Sequence, residues 1–386
     1  MALHDTKKHN TKPNVAAIFG VTGLVGRQLA RSLLSAGPGD IDVDDDWKVY
    51  GVARRRLPEE EDEFRGHPGY RFVLCDLLCR EDVEKKLAPM DDVTHVFWLT
   101  WAAGFPVDTV ECYDENKSMM GNALDVILRN ATGLRHVSLQ TGVKHYVSLT
   151  GGSGDEGVML YDEESPRIDV GRNFYYGLED LLDEKLPGRN VAWSIHRPGL
   201  IAGCSRRTFY NFVGSLCVYG TLCKYLGLPF LFGGTRRCWE EMHIDCSDAR
   251  LVAEQHVWAA TRGGPRRGEA FNAINGEDYA WKEIWGAIGE KLGVTGGGVS
   301  EEFVYAEAMA GKEDVWREIV EGNGLVKTEV EELANWQMLD VMFRIPKKML
   351  VSRKKIDSMG FKTRRYGALD SMLYWIDVMR KHKYIP

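Results

Sequence analysis

The chain has 386 residues, and at about 150 residues per domain this length predicts two to three domains. Its 44% of apolar residues are enough to bury a full core, which excludes disorder for most of the chain. The net charge of −7 argues against a nucleic-acid-binding surface, because such a surface needs clustered basic residues.

Targeting and redox features of the sequence favour a cytoplasmic protein without a membrane partner. Residues 1–12 are polar and contain no apolar segment typical of a secretory signal. The eight cysteines have irregular spacings and form no Cys-x-x-Cys pair, so we expect reduced thiols and neither a metal site nor disulfides. The uncharged stretch Thr208–Cys223 is shorter than the roughly 18 apolar residues of a membrane span, which favours a buried or pocket-lining helix.

Strand-like and helix-like segments alternate through the first half of the chain. The short β-branched or aromatic runs are Val15–Phe19, Lys48–Val52, Arg71–Leu74, Val93–Leu99, Lys144–Leu149 and Val191–Ile195. Helical patterns such as Leu24–Ser35 and Met119–Asn130 lie between some of them. This alternation predicts an α/β fold, a Rossmann-type doubly wound parallel sheet with helices on both faces.

Helical patterns dominate after about Pro198. They cover Thr208–Leu226, Ser247–Thr261, Trp281–Leu292 and Ala368–His382, whereas the glycine-rich Thr295–Gly298 is typical of a loop. We therefore predict three parts: a flexible tail (1–13), a Rossmann-type domain (14–200) and a smaller, mostly helical lobe (201–386). Some later segments of the lobe are expected to return to the Rossmann domain.

A glycine-rich turn, Gly20-Val21-Thr22-Gly23-Leu24-Val25-Gly26, follows the first predicted strand and opens the first helix. Glycines at this spacing permit a tight turn, close approach of the main chain to a pyrophosphate, and close helix–strand packing. The amino terminus of the helix then faces the anion. A plain strand–turn–helix is the alternative, but the position inside a βαβ unit favours a dinucleotide site.

The residues after the second predicted strand indicate which dinucleotide is bound. An NAD enzyme has an acidic residue here for the ribose hydroxyl, whereas arginine complements a 2′-phosphate. Arg54 and Arg55 therefore predict NADP, with a basic loop that balances the following acidic run as the alternative. Asp76, after the third strand, is a candidate acceptor for the adenine amino group or a solvated loop carboxylate.

The usual catalytic pair of short-chain dehydrogenases, a tyrosine and a lysine four residues apart on one helix, is absent from the region where it is expected. The corresponding helix reads Asn173–Asp180, with Asp180 where the lysine would stand. Lys144, at the start of the predicted fifth strand, is positioned to act from the other side of the site. A nucleotide-sugar epimerase would keep the usual pair and favour NAD, so this class is excluded.

Together these motifs resemble the plant progesterone 5-beta-reductase / iridoid synthase-like family of extended short-chain dehydrogenases. The resemblance runs from Val15 to Pro386, and Leu139–Tyr146 and Asn173–Asp180 are its most specific motifs. Further matching motifs are Gly20–Gly26, Val52–Arg55, Val93–Phe97, Ser194–Pro198, Leu216–Tyr219 and Glu269–Asn272. The resemblance implies NADPH as cofactor and reduction of the carbon–carbon double bond of enones or enals.

The resemblance also implies the site residues. It gives catalytic roles to Lys144 and Tyr176, the second tyrosine of its motif, and core packing remains the interpretation of Tyr175. Together with the glycine-rich turn, it gives these cofactor contacts: Gly20, Thr22, Gly23, Leu24, Val25, Gly26, Arg54, Arg55, Asp76, Leu77, Thr100, Gln140, Tyr176 and Ile201.

The segments expected to line the substrate pocket depart from the family. Val147–Gly152 stands where a Gly-Pro-Phe stretch is usual, so a steroid or monoterpene preference cannot be transferred. We expect a mostly apolar pocket from Trp101, Phe105, Val147, Tyr219 and Met242, with core packing as a strong alternative for Tyr219.

Other polar residues of these motifs receive no catalytic role. Glu179 and Asp180 are expected to face solvent or to orient their helix, and His145, His196 and His243 to be structural. The preferred function is conjugate (1,4-) enone reduction on a small apolar carbonyl compound, and a homodimer is compatible with it. A carbonyl (1,2-) reductase and a non-catalytic NADP-sensing module are the alternatives.

Overall fold

The computed structural model describes residues 13–35, 47–102, 104, 106–147, 160–168, 171–262, 267–346, 348–362 and 366–386. Apart from Pro13, the tail predicted over residues 1–13 lies outside this range. Within the described residues, no helix is both long enough and apolar enough to cross a membrane.

Strands and helices alternate along the first half, as the sequence pattern predicts. The strands are β1 (Asn14–Phe19), β2 (Trp47–Ala53), β3 (Tyr70–Leu74), β4 (His95–Trp98), β5 (His136–Gln140), β6 (Leu160–Tyr161), β7 (Ala192–Pro198), β8 (Leu200–Ala202), β9 (Phe230–Gly233), β10 (His243–Asp248), β11 (Arg267–Ala273), β12 (Asp278–Ala280), β13 (Gly296–Ser300) and β14 (Leu350–Val351). The helices are α1 (Leu24–Leu34), α2 (Arg80–Leu87), α3 (Val110–Asn130), α4 (Phe174–Lys185), α5 (Phe212–Leu226), α6 (Arg236–Glu240), α7 (Ala249–Thr261), α8 (Trp281–Leu292), α9 (Tyr305–Ala308), α10 (Glu313–Gly322), α11 (Val330–Leu333), α12 (Trp336–Met342), α13 (Lys354–Ser358) and α14 (Ala368–Lys381).

The central sheet has seven strands in the order β11-β7-β5-β4-β1-β2-β3, and every neighbouring pair is parallel. This confirms the predicted Rossmann-type doubly wound sheet. The strand order reverses between β1 and β4, and in such sheets ligands bind outside the carboxyl ends of the strands at this point. The site is therefore expected along the loops that follow β1, β4, β5 and β7.

Strand β1 separates two apolar cores. Ala16 and Ile18 face a core shared with the later half of the chain, whereas Ala17 and Phe19 face the core beneath α2, α3 and α4. All four side chains are buried, because a strand in the middle of a parallel sheet is covered by helices on both faces.

The later half of the chain contributes to both the sheet and the smaller lobe. Strand β11 pairs with β7 at the edge of the central sheet, with Phe271 opposite His196. The lobe contains the sheet β12-β10-β8 and the pair β13-β9, around which α5, α8, α12 and α14 pack. Residues 212–223 of α5 are all buried, which explains why this stretch has no charge.

Two predicted elements are wrong in position or type. The fifth strand is β5 (His136–Gln140) and not Lys144–Leu149, because the main-chain hydrogen bond from His145 to Gly142 (2.9 Å) forms a turn after β5. Residues 148–150 lie outside the described part of the chain. Thr295–Gly298 contributes most of its residues to β13, where Gly297 packs so closely on Leu231 that a Cβ would lie 2.6 Å from its side chain.

Candidate active site

The glycine-rich turn after β1 has the geometry of a pyrophosphate cradle. Gly20 has a left-handed φ of 92°, and a Cβ on Gly26 would lie 2.1 Å from the carbonyl oxygen of Gly20. The amide of Gly20 donates to the carbonyl of Val52 (2.9 Å), which ties the turn to the end of β2. The first main-chain N–H groups of α1 have no acceptor within the helix and point towards this turn. These features fit a dinucleotide.

The side chains of the turn have different surroundings. Leu24 and Val25 are buried, so only their main-chain groups are available to a cofactor. Thr22 is half-buried, and its carbonyl accepts a hydrogen bond from the Ser205 hydroxyl (3.1 Å). The turn is thereby fixed to the segment that follows β8.

The arginines after β2 are free to meet an anion. Arg54 and Arg55 are exposed, and neither forms an ion pair with any residue that the structure describes. Arg56 lies over the Phe72 ring, with its guanidinium carbon 4.8 Å from the ring centroid. Both residues follow β2, at the position where this fold places the side chain that contacts the 2′ substituent of the ribose.

Asp76 and Leu77 follow β3. One carboxylate oxygen of Asp76 accepts from the amide of Leu78 (3.1 Å), and its own amide donates to Asp82 (2.8 Å). Asp76 is exposed, so its other carboxylate oxygen remains open to a ligand donor. The Leu77 side chain is buried in the core and offers only main-chain groups.

Three further predicted contacts lie at the carboxyl ends of the strands and in β8. Thr100, Gln140 and Ile201 are all half-buried. The Gln140 side-chain oxygen is buried and has no hydrogen-bond partner among the described residues. A buried acceptor without a partner is unfavourable in water-free surroundings and is typical of a site that a ligand completes.

Lys144 lies in the short 3-10 turn Val143–His145 and is held from several sides. Its ammonium nitrogen is 2.5 Å from a carboxylate oxygen of Asp108 and donates to the Asn173 side-chain oxygen (3.3 Å). The Asn173 amide in turn donates to the Lys144 carbonyl (3.0 Å), and its oxygen caps α4 at Tyr175 (3.1 Å). One asparagine therefore couples the start of α4 to the lysine.

Tyr175 is the tyrosine beside this lysine. The Lys144 ammonium lies 5.6 Å from the centroid of the Tyr175 ring, and a Cβ on Gly142 would lie 3.1 Å from the Tyr175 hydroxyl oxygen. Within the described range this hydroxyl makes no hydrogen bond. Burial raises the pKa of Tyr175, and the nearby Tyr210 phenol raises it further. The hydroxyl therefore stays protonated as a donor without a partner.

The Tyr176 hydroxyl, in contrast, is satisfied by main-chain groups. It donates to the His145 carbonyl (2.6 Å) and accepts from the Ile168 amide (3.0 Å). The Tyr176 ring packs against the His145 ring and lies under the Arg167 guanidinium. The sequence predicts the catalytic role for Tyr176 and packing for Tyr175, whereas the contacts favour the reverse. A helix presents consecutive residues to directions about 100° apart, so only one of the two tyrosines can face the lysine.

For Glu179 the sequence leaves two alternatives, facing solvent or orienting its helix, and the contacts favour the second. Glu179 is 3% exposed and lies 3.2 Å from the buried Arg197 guanidinium. Burial opposes its ionisation, yet the His145 ring, whose Nδ1 lies 3.3 Å from the carboxylate, and Arg197 keep the pKa of Glu179 below its usual range. Asp180 is exposed and pairs with Arg167 (2.6 Å). Glu179 therefore anchors the helix that presents Tyr175.

An aromatic cluster covers the same corner. Trp101 stacks on Phe174 with ring centroids 5.5 Å apart and also contacts Phe209 and Tyr210. Trp101 is half-buried and Phe209 is 45% exposed, so part of the cluster faces outward. This agrees with an apolar wall beside Tyr175.

The other residues predicted for the pocket lie elsewhere. Tyr219 is fully buried, and its hydroxyl is satisfied by the main chain of Leu231, which donates at 3.0 Å and accepts at 3.2 Å. Met242 and Val147 are also buried in the core, 2% and 3% exposed. All three side chains belong to the apolar core, so a role for them in lining a pocket stays a prediction. Phe105 lies outside the described residues.

Several residues of this corner carry no predicted role. They are Asp108, Asn173, Phe209 and Tyr210. Asn173 could have been recognised as a helix cap, since asparagine directly before an apolar helix is a strong start signal. The other three lie in loops whose sequences carry no signal of their spatial neighbours.

The chain was compared with known proteins. The profile of the PRISE-like Rossmann-fold domain matches residues 16–386. The chain is 40% identical to a 3-oxo-Delta(4,5)-steroid 5-beta-reductase of Arabidopsis thaliana, over 100% of this chain and 96% of the relative. It is 36% identical to an (S)-8-oxocitronellyl enol synthase of Catharanthus roseus, over 97% of this chain and 92% of the relative.

Solved structures resemble the fold at low sequence identity. The UDP-glucose 4-epimerase of Thermus thermophilus in complex with NAD superposes with a TM-score of 0.64 at 16% identity, covering 95% of this chain and 99% of the other. The dTDP-glucose 4,6-dehydratase of Bacillus anthracis gives 0.63 at 13% identity, covering 96% and 98%. These likenesses concern the fold alone.

Proposed function

Because the chain belongs to the PRISE-like Rossmann-fold domain family, we propose that it is an NADPH-dependent reductase of enones and enals. The observation that carries the proposal is the corner after β5, where the Lys144 ammonium and the unpartnered Tyr175 hydroxyl adjoin the same apolar wall. The relatives named above as a steroid 5-beta-reductase and an enol synthase support the same reaction class.

Tyr175 is the proposed hydrogen-bond donor to the substrate. When bound, NADPH would supply a hydride to the β-carbon of the conjugated substrate. Negative charge then gathers on the carbonyl oxygen, and a hydrogen bond from the Tyr175 hydroxyl strengthens as that charge develops. Such an interaction lowers the barrier because it is stronger in the transition state than in the ground state.

Lys144 supplies positive charge at the same corner. Its ammonium is fixed by Asp108 and by Asn173, so its position is set before a substrate arrives. A preorganised charge stabilises an oxyanion without the reorganisation that water would need. Asp108 and Asn173 are therefore positioning residues for Lys144. In the proposed reaction, solvent provides the proton that the α-carbon of the substrate receives.

The dinucleotide preference is proposed from charge. Arg54 and Arg55 are exposed and unpaired among the described residues, and they follow β2 where an NAD enzyme has a carboxylate. Guanidinium groups bind phosphate oxygens through two parallel hydrogen bonds, which a ribose hydroxyl cannot match. We therefore propose NADPH as the reductant. The apolar wall beside Tyr175 supports a small apolar carbonyl compound as the substrate. The cytoplasm is the proposed location, in line with the cysteine pattern of the sequence.

Product analysis tests the reaction class. The protein, NADPH and a simple cyclic enone are incubated, and the products are separated and identified. The proposal expects the saturated ketone. An allylic alcohol would assign carbonyl (1,2-) reduction instead, and NADPH binding without any product from a panel of enals, enones and steroids would favour the non-catalytic sensing module.

A further inference from the structure

A second tyrosine hydroxyl approaches the corner from the smaller lobe. Tyr210 lies in the loop between β8 and α5, and its ring centroid is 5.2 Å from that of Trp101. Trp101 stacks on Phe174, whose ring contacts Tyr175 (4.7 Å). Tyr210 and Tyr175 therefore flank one aromatic pair, one from each part of the chain.

Both hydroxyls lie among the same charged and polar groups. The pKa of Tyr210 is raised to about 12, first by burial and then by Asp108 and Cys112. Asp108 and Cys112 also act on Tyr175, for which Tyr210 is the largest influence after burial. The two phenols therefore share Asp108 and Cys112 as neighbours. Both remain protonated near neutral pH, so both are donors.

The hydroxyl groups of Tyr210 and Tyr175 are both available as hydrogen-bond donors. Among the residues that the structure describes, the Tyr210 hydroxyl makes no hydrogen bond, as is true of the Tyr175 hydroxyl. Tyr219 and Tyr176 are different, because main-chain groups satisfy both of their hydroxyls. A half-buried phenol without a partner loses hydrogen-bond energy that only a ligand or water can restore.

The loop that carries Tyr210 is held rigidly. The Asn211 side chain donates to the Ser205 carbonyl (2.8 Å), and the Asn335 side chain donates to the Phe209 carbonyl (3.2 Å). Ser205 also donates to Thr22 in the glycine-rich turn (3.1 Å). The position of Tyr210 is therefore fixed relative to both the cofactor cradle and the lobe.

We propose that Tyr210 is a second hydrogen-bond donor to the carbonyl oxygen on which Tyr175 acts, so that the two tyrosines form a two-donor oxyanion site. The inference rests on the proposed reductase function. A carbonyl oxygen has two lone pairs and accepts two donors, and each donor matters most when negative charge has developed. Weakly activated enones, which need the most stabilisation, should depend on Tyr210 more than enals do.

Tyr210→Phe is the direct test, because it keeps the ring against Trp101 and removes only the hydroxyl. Tyr176→Phe is the matched control, since it makes the same change in a tyrosine whose hydroxyl contacts the main chain. The first measurement is turnover of one weakly activated enone and one enal. We expect about a 10²-fold loss on the enone for Tyr210→Phe, in line with removal of one oxyanion donor, and a clearly smaller loss on the enal. Equal losses on both, or none, would overturn the inference.

The second measurement does not need turnover. 4-Nitrophenolate carries an oxyanion comparable to an enolate, and its binding to the enzyme–NADP⁺ complex is followed by its absorbance. Tyr210→Phe and Tyr175→Phe should each weaken this binding about tenfold, and Tyr176→Phe should not.

The outcomes separate the two proposals. If wild type reduced no enone but lost phenolate binding on Tyr210→Phe, the reductase function would fail and the two-donor site would stand. If wild type reduced enones and Tyr210→Phe bound phenolate normally, the reductase would stand and the two-donor site would fail. A wild-type complex that bound no phenolate would also contradict the two-donor site.

Discussion

The cofactor cradle and the catalytic corner lie at the same edge of one sheet but are built in different ways. In the cradle, the shape comes from residues close in sequence, because Gly26 packs directly on the carbonyl of Gly20. In the corner, Lys144 is held by Asp108 and Asn173, from two other segments of the chain. A local motif therefore specifies the cradle, whereas only tertiary structure specifies the corner.

The largest effect on NADPH binding is expected from a substitution that distorts the cradle and leaves the corner unchanged. In Gly26→Ala the new Cβ would lie 2.1 Å from the Gly20 carbonyl oxygen, so the turn must open. We expect NADPH binding to fall by at least 10²-fold, measured by fluorescence titration, with circular dichroism recorded to check folding.

Gly133→Ala is the control for this change, because a Cβ at Gly133 meets no atom within 4 Å. A folded Gly26→Ala protein that binds NADPH as tightly as the Gly133→Ala protein would contradict the cradle assignment.

The next prediction tests how the cradle region distinguishes NADPH from NADH. Replacing Arg54 and Arg55 together by alanine removes two guanidinium groups from the proposed phosphate position. Charge-assisted hydrogen bonds contribute about 1.5–3 kcal/mol, so the Michaelis constant for NADPH should rise by more than tenfold and that for NADH should change little. Arg71→Ala, at an exposed position on β3, is the matched control. Equal changes for both cofactors would exclude the arginines as readers of the phosphate.

The sequence predicted the cradle better than the corner, because a local motif specifies the cradle and tertiary contacts specify the corner. The parallel sheet, the glycine-rich turn and Arg54 follow from local periodicity and from spacing along the chain, and the sheet and the turn agree with expectation. The choice between Tyr175 and Tyr176 depends on how α4 is rotated about its axis. That rotation is set by long-range contacts such as Glu179 with Arg197, which are 18 residues apart.

The pocket residues illustrate the same limit. An uncharged helix such as α5 is equally compatible with lining a pocket and with filling a core, and only the packing of α8, α12 and α14 around it decides for the core. Tyr210 was not singled out because its neighbours Trp101 and Asp108 are about a hundred residues away along the chain.

The smallest expected effect is on the pH dependence of folding stability and comes from Asp245 on β10. Asp245 is 4% exposed, and burial, with a contribution from Asp278, raises its pKa to about 7. Between its unfolded pKa of about 3.9 and about 7, the folded protein binds the extra proton, so stability falls as the pH rises through this window. Asp245→Asn should therefore raise the melting temperature at pH 8 by a few degrees relative to its effect at pH 4.

Asp91→Asn is the comparison for Asp245→Asn, because it makes the same chemical change at an exposed position. If Asp245→Asn changed the melting temperature equally at both pH values, its carboxyl would not be the group that titrates.

The central claim, that Tyr175 is the donor in a corner built by tertiary contacts, is tested most directly by Tyr175→Phe beside Tyr176→Phe. Both variants lose one hydroxyl from adjacent positions on α4, and only Tyr175 lies beside Lys144 with its hydroxyl unpartnered among the described residues. Turnover of a weakly activated enone is measured at saturating NADPH, with NADPH affinity determined separately. We expect Tyr175→Phe to lose about 10²–10³-fold in kcat, as for removal of one oxyanion donor, and Tyr176→Phe to stay within a few-fold of wild type. Near-normal kcat in Tyr175→Phe together with a large loss in Tyr176→Phe would contradict the account.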